Sequence, residues 1–176
     1  MTSIEFGETG MLIERSDDAT DAGVSPAERY ERGLALKKAG QHKAAIAQLE
    51  MAVADPTLAL KAYAQIGLCS KMIGRLEDAV AAFRHALSAP GGSPKETVQI
   101  LYVLGRTLES LGRVGETLEA YRWIRREEPD YRDVVDRIER LSARRPATTG
   151  KKRSQEALQG TGNFLRSWND LFGMSK

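Results

Sequence analysis

Several residue types on which protein chemistry often depends are scarce in this chain. Among 176 residues there is one cysteine, Cys69, and there are two histidines, His42 and His85, which are separated by a whole repeat of the pattern described below. A single cysteine excludes an internal disulfide framework, and a metal site needs several converging ligands. We therefore expect no metal, no cofactor and no enzymatic activity, and we interpret Cys69 as a buried structural thiol.

Long apolar runs are also missing. No stretch of about 18 consecutive apolar residues occurs, and the first residues contain neither the basic start nor the hydrophobic run of a secretory signal. The chain is 41% hydrophobic and 28% charged, as is usual for a globular protein. These features predict one compact domain with tails, located in the cytoplasm.

Charge is distributed unevenly between the two ends. Residues 1–25 contain six acidic residues and one basic residue, whereas residues 143–176 contain seven basic residues and two acidic ones. We expect residues 1–24 to form an acidic, disordered tail and residues 143–161 to form a basic, flexible linker. A nucleic-acid partner is not expected, because this basic stretch is not accompanied by an element that reads bases.

The most informative feature present is a five-position signature that occurs three times. It consists of a glycine, a second glycine seven residues later, then a small residue, a large apolar residue and another small residue at spacings of five, four and three. The second copy starts 34 residues after the first, and the third starts 38 residues after the second. A fixed period of this size marks a repeat architecture. The copies are Gly33, Gly40, Ala45, Leu49 and Ala52; Gly67, Gly74, Ala79, Phe83 and Ala86; and Gly105, Gly112, Thr117, Tyr121 and Ile124.

Each copy predicts two antiparallel helices. Apolar residues recur at helical spacing, Gly40 ends a first helix, and Asp55 and Pro56 end a second one. The small residues let the two helices approach closely while Leu49 and Phe83 fill the space between them. In the third copy Thr117 and Ile124 replace alanines, which predicts looser or differently angled packing.

Helix starts and the end of the domain are also indicated. Ser25, Pro26 and Glu28 form a capping box, which Ser93, Pro94 and Glu96 repeat. The domain is expected to span 25–142, with repeats over 26–57, 58–92 and 93–129 and a capping helix over 130–142. That helix should bury one stripe and expose its charged face. The predicted stripe is Tyr131, Val134, Val135, Ile138 and Leu141, and the predicted exposed face is Arg132, Asp133, Asp136, Arg137, Glu139 and Arg140.

The signature resembles the tetratricopeptide repeat, a unit of 34 residues. The second copy fits best, the third fits well, and the first departs at Arg29 and Arg32, where the unit has large apolar residues. Matching positions in the second copy are Tyr63, Ile66, Gly67, Gly74, Ala79, Phe83 and Ala86, and those in the third are Leu101, Leu104, Gly105, Gly112, Tyr121 and Pro129. The resemblance implies an all-α fold, a right-handed superhelix of three antiparallel hairpins with a C-terminal capping helix.

The resemblance further implies that the first helix of each hairpin lines a concave groove that binds a partner. The groove positions are Tyr30, Leu34, Lys37, Lys61, Ala64, Leu68, Lys71, Gln99, Tyr102, Arg106 and Glu109. We hypothesise a protein-interaction adaptor that holds a short acidic and apolar peptide there, with an anchor between Tyr30, Leu68 and Tyr102. The alternative is a secretion chaperone that holds an export substrate in the same face.

Segments outside the repeats offer further contacts. Residues 162–173 place one apolar face on a short helix, which we expect to dock on a partner or on the repeats rather than on a membrane surface. That face consists of Phe164, Leu165, Trp168, Leu171 and Phe172.

The acidic stretch 8–14 is a candidate self-inhibitory ligand of the groove. Leu101, Leu104, Leu108 and Trp123 are candidates for a surface that forms a homo-oligomer.

Overall fold

The computed structural model describes residues 23–143, and within this range the backbone forms seven α-helices and no strand. The helices are α1 (Pro26–Lys38), α2 (His42–Ala52), α3 (Pro56–Met72), α4 (Leu76–Ser88), α5 (Pro94–Ser110), α6 (Val114–Glu127) and α7 (Val134–Ala143). The acidic stretch 8–14, nearly all of the predicted tail and linker, and the whole C-terminal segment 162–173 lie outside the described residues.

Consecutive helices pack in pairs, and the pairs stack on one another. The hairpins are α1 with α2, α3 with α4, and α5 with α6, while α2 contacts α3, α4 contacts α5, and α7 covers α6. This arrangement confirms the predicted all-α helical repeat fold. Because each hairpin buries its apolar face against a neighbour, the stack has an extended core rather than a single centre.

The helix starts follow the capping signals. The Ser25 hydroxyl accepts a hydrogen bond from the Glu28 N–H at 3.3 Å, and the Glu28 carboxylate accepts one from the Ser25 N–H at 2.9 Å. Ser93 and Glu96 repeat this pair of bonds at 3.3 and 3.0 Å. Asp55 caps α3 through the Thr57 N–H at 2.8 Å, so the second hairpin begins at Pro56, before the predicted boundary at 58.

The spacing of the signature is explained by contacts between helices of one hairpin. A methyl group built on the first glycine of each copy would lie only 2.5 to 2.6 Å from a side-chain carbon of the large residue on the second helix. The pairs are Gly33 with Leu49, Gly67 with Phe83 and Gly105 with Tyr121. A β-carbon at the helix crossing would therefore force the large side chain or one of the two helices to move. The second glycine of each copy ends the first helix with a positive φ, between 71° and 78°.

The two positions at which the third copy departs from alanine both lie in the core. Thr117 and Ile124 are fully buried, like Ala45 in the first copy. The Thr117 hydroxyl donates to the Arg113 carbonyl at 2.9 Å, so its polar atom is satisfied within α6. Leu101, Leu104 and Leu108 are also fully buried inside the chain, which removes these leucines from the predicted oligomer surface.

The capping helix differs from its prediction in two ways. It begins at Val134 rather than at 130, because residues 128–133 form turns in which Tyr131 donates to the Glu128 carbonyl. Val134, Ile138 and Leu141 are buried as predicted, but Val135 is 38% exposed, so its place on the buried stripe was wrong. Arg137 was expected to face solvent, yet its side chain is only 12% exposed because two carboxylates surround its guanidinium.

Candidate functional site

The predicted groove residues lie on the first helices of the three hairpins, and several contacts connect them from helix to helix. Lys37 on α1 donates to the Gln65 side chain on α3. Tyr30 on α1 and Lys61 on α3 line one shared depression. The first helices therefore form a continuous face across α1 and α3.

The middle of this face carries closely spaced positive charge. Lys71 on α3 is half-buried, and its pKa is lowered by burial and by the positive charge of Arg106 on α5. Neither side chain forms an ion pair with a carboxylate among residues 23–143. A ligand carboxylate near Lys71 and Arg106 would favour the charged form of Lys71 and reduce the repulsion between the two cations. Lys61, farther along α3, is exposed.

Beside this charge lies a pocket of about 240 Å³ that is lined by α3, α4, α5 and the turn before α7. Ala64 and Leu68 from α3 face Gln99 and Val103 from α5, and the turn before α7 closes one side with Tyr131 and Arg132. We call this the anchor pocket. Its complete lining is Ala64, Gln65, Leu68, Phe83, Gln99, Ile100, Val103, Tyr131 and Arg132.

Two of the predicted groove residues are engaged inside the protein instead. Tyr102 is 7% exposed, and its hydroxyl donates to Asp133 at 2.7 Å. The Glu109 carboxylate accepts hydrogen bonds from Arg137 at 2.7 Å and from the Tyr121 hydroxyl at 3.1 Å. Tyr102 is therefore too buried to serve as an exposed anchor, and the Glu109 carboxylate is bound by Arg137 of the capping helix.

These side chains form a compact polar cluster at the junction of α5, α6 and α7. Arg137 pairs with Glu109 at 2.7 Å and with Asp133 at 2.8 Å. The hydrogen bond from Arg137 is the main reason why the pKa of Asp133 is lowered to about 2, and Tyr102 adds to the effect. Burial, together with the charge of Glu109, raises the pKa of Tyr121, so Tyr121 stays protonated. We call Tyr102, Glu109, Tyr121, Asp133 and Arg137 the cap cluster.

Sequence reasoning missed the contribution of Tyr131 and Arg132 to the anchor pocket. It placed Tyr131 on a helical stripe and Arg132 on a solvated helical face, because the start of the capping helix was set too early. The φ of Arg132 is +49°, the one positive value at a residue other than glycine among those described. Arginine carries no sequence signal for this conformation, whereas the closing Pro129 and the aromatic Tyr131 did indicate that a new packing element begins there.

Cys69 lies on α3 in the core of the stack. Its side chain is fully buried, and burial raises the pKa of the thiol. A thiol with a raised pKa is a weak nucleophile. No group of three or more metal-ligating side chains occurs within residues 23–143, and no helix in that range is both long and apolar enough to cross a bilayer.

Comparison with known proteins agrees with this architecture. The family model described as tetratricopeptide repeat matches residues 60–90, which correspond to the second hairpin. The second hairpin is therefore identified as a tetratricopeptide repeat. No curated protein matches the chain in sequence.

Two solved structures are similar in fold to this repeat protein. The crystal structure of MamA aligns with a TM-score of 0.58 and 22% sequence identity over 67% of each chain. The NMR structure of the second TPR domain of human RPAP3, in complex with the HSP70 peptide SGPTIEEVD, aligns with a TM-score of 0.54 and 18% identity. That alignment covers 67% of this chain and 98% of that one. At these identities the likeness describes the fold.

Proposed function

We propose that this tetratricopeptide repeat protein is an interaction module that binds a short, acidic segment of a partner protein along its concave face. The observation that carries the proposal is the charged middle of that face, where half-buried Lys71 lies near Arg106 without a carboxylate partner among residues 23–143. Like charges placed together cost free energy in the unbound protein, and a bound carboxylate relieves that cost.

The family and the shape of the face support a peptide as the ligand. The RPAP3 domain binds a peptide that contains two adjacent glutamates, and it shares the fold of this chain. Along this face, the depression with Tyr30 and Lys61 is about 540 Å³ and the one with Arg132 is about 240 Å³. The second is smaller than the roughly 300–1,000 Å³ of a typical small-molecule site, so a single side chain suits it better than a whole metabolite does.

The test measures binding of the full chain to an array of immobilised 12-residue peptides that differ in acidic content, at two salt concentrations. We expect acidic peptides to be retained and their affinity to fall as salt rises, because the contacts are between charges. The variants Lys71→Gln and Arg106→Gln should each weaken retention at least fivefold. Lys43→Gln, which removes an exposed charge from α2, is the matched control and should have no effect.

The outcome also separates the proposal from the alternative of a secretion chaperone. A chaperone that shields an export substrate binds apolar segments, so its affinity depends little on salt. Retention of apolar peptides, unchanged by salt and by Lys71→Gln, would contradict the adaptor proposal and favour the chaperone.

The C-terminal segment 162–173 is proposed as a second contact, and a chain that ends at Ser142 tests this directly, since it should retain peptide binding but lose that contact.

A further inference from the structure

The anchor pocket and Arg132 together have a more specific chemistry than the rest of the concave face. We propose that they recognise an aliphatic side chain directly next to a carboxylate, so that the partner segment carries a leucine-glutamate type of dipeptide at this position. The inference rests on the proposed function, because it names the part of the ligand that the C-terminal end of the groove selects.

The pocket suits one aliphatic side chain. Its base includes Phe83 and Ile100, which are 1% and 7% exposed, so the base belongs to the rigid core of the hairpins. Leu68 and Val103 supply apolar walls from α3 and α5. Burying an aliphatic side chain there removes apolar surface from water on both partners, which favours binding. The small side chain of Ala64 takes up little space on another side of the pocket.

Arg132 is held at the rim of this pocket by its backbone and by two rings. Its φ of +49° is a conformation that residues with a β-carbon rarely adopt, and such conformations persist where surrounding structure holds them. The guanidinium carbon lies 4.8 Å from the centre of the Tyr102 ring and 5.3 Å from that of Tyr131. Rings at these distances attract the cation and restrict it while its hydrogen-bond donors stay available.

The cap cluster leaves this arginine without an acidic partner. The two nearby carboxylates, of Glu109 and Asp133, are both bound by Arg137. Arg106 approaches the Tyr102 hydroxyl at 3.4 Å, so Tyr102 has one arginine at its hydroxyl and another above its ring. Neither arginine forms an ion pair with a carboxylate of residues 23–143. A planar guanidinium in this position can hold a ligand carboxylate by two parallel hydrogen bonds.

The experiment titrates the full chain with three blocked peptides and follows amide chemical shifts by NMR. The probe is acetyl-Gly-Leu-Glu-Gly-amide, and the two comparison peptides replace its leucine by alanine or its glutamate by glutamine. We expect the probe to shift resonances of Leu68, Val103 and Tyr131, and each comparison peptide to bind at least fivefold more weakly. Arg132→Asn should weaken the probe at least fivefold, since asparagine tolerates a positive φ but carries no charge.

A second variant separates recognition from folding. Arg132→Gly removes the side chain and relieves the backbone strain, so it should lose the probe without lowering the thermal midpoint. Arg140→Asn removes an exposed arginine from α7 and should bind like the unaltered chain. Equal binding of the probe by Arg132→Asn, equal binding of the glutamine peptide, or no shift at these residues would overturn the inference. If Lys71→Gln and Arg106→Gln still weaken retention of the acidic 12-residue peptides at least fivefold, the proposed function survives that result.

Discussion

At the N-terminal end of the described stack, α1 buries only Arg29 and Gly33, whereas α5 in the third hairpin buries eight of its residues. Both helices occupy the same position in their repeat and carry the same first glycine. The difference arises from their neighbours, because α5 packs against α4 and α6 while α1 packs mainly against α2. The repeat signature therefore specifies the hairpin, and the surroundings of the hairpin specify how deeply its first helix is buried.

The two ends also differ in how they use polar residues. At the C-terminal end, the cap cluster joins α5, α6 and the segment around α7 through hydrogen bonds of 2.7 to 3.1 Å. In the first hairpin, the buried Arg29 directs its guanidinium to the Met51 sulfur at 2.8 Å, and Met51 itself is 48% exposed. The bonds of the cap cluster fix the segment before α7, which carries Tyr131 and Arg132 at the anchor pocket.

The largest test of this comparison adds one methyl group at the helix crossing of each end. Gly105→Ala should lower the free energy of unfolding by about 3 kcal/mol, because its new β-carbon meets the rigid ring of Tyr121 in a hairpin packed on both sides. Gly33→Ala should cost about 1 kcal/mol or less, since α1 can shift away from Leu49 and alanine favours the helix by about 1 kcal/mol. Denaturant unfolding of the full chain measures both.

A matched control for these two variants is available on α6. A β-carbon at Gly115 would meet nothing within 4 Å, so Gly115→Ala should be neutral or stabilising by up to about 1 kcal/mol. Equal losses for Gly33→Ala and Gly105→Ala would show that the two ends are equally rigid, and the comparison would then fail.

The second test removes the arginine at the centre of the cap cluster. Arg137→Met should lower the free energy of unfolding by about 2 to 3 kcal/mol, because it leaves the carboxylates of Glu109 and Asp133 close together without their cation. Arg140→Met changes an exposed arginine on the same helix and should have an effect below about 0.5 kcal/mol. Thermal and denaturant unfolding of both variants and of the unaltered chain measure these losses. If Arg137→Met and Arg140→Met lowered the stability equally, Arg137 would contribute no more than an exposed arginine does.

The sequence was sufficient to predict the packing of the hairpins but not the chemistry of their C-terminal end. Gly67 lies where two helices of one hairpin cross, and Gly74 lies in the turn between them. Because both roles depend only on the hairpin itself, they could be interpreted from spacing alone. The roles of Tyr102 and Glu109 depend on Asp133 and Arg137, which lie 31 and 28 residues later in the chain, and on where α7 begins. Helical periodicity assigned Arg137 to the solvated face, because a charged residue between charged neighbours gives no sign of a buried partner.

The third test concerns acid sensitivity at the capped end. The pKa of Asp133 is about 2, below its ordinary value of 3.8, so the carboxylate stabilises the fold above pH 3.8 and this contribution is lost as pH falls toward 2. Because 41% of the side chain is exposed, water screens the effect, and we expect on the order of 1 kcal/mol. At pH 7 the free energy of unfolding of Asp133→Asn should be lower than that of the unaltered chain by this amount. The two values should converge near pH 2, and denaturant unfolding at several pH values measures them.

The variant Asp130→Asn provides the charge control for this measurement. Asp130 is exposed in the turns before α7, and its replacement should leave the difference in stability between neutral and acidic pH nearly unchanged. If Asp133→Asn and the unaltered chain stayed equally far apart from pH 7 to pH 2, the ion pair with Arg137 would not be the source of the stabilisation.

The smallest expected effect concerns Thr117, one of the two positions at which the third copy departs from the alanine of the other two. Its hydroxyl donates to the Arg113 carbonyl, and its side chain is fully buried. Thr117→Ala removes a few buried atoms but gains helix propensity, so the free energy of unfolding should change by about 0.5 kcal/mol or less. Thr117→Val keeps the volume and serves as the matched variant. A clear gain in stability for Thr117→Ala would mean that threonine strains this hairpin, and the third copy would then differ from the first in its packing as well as in its cap.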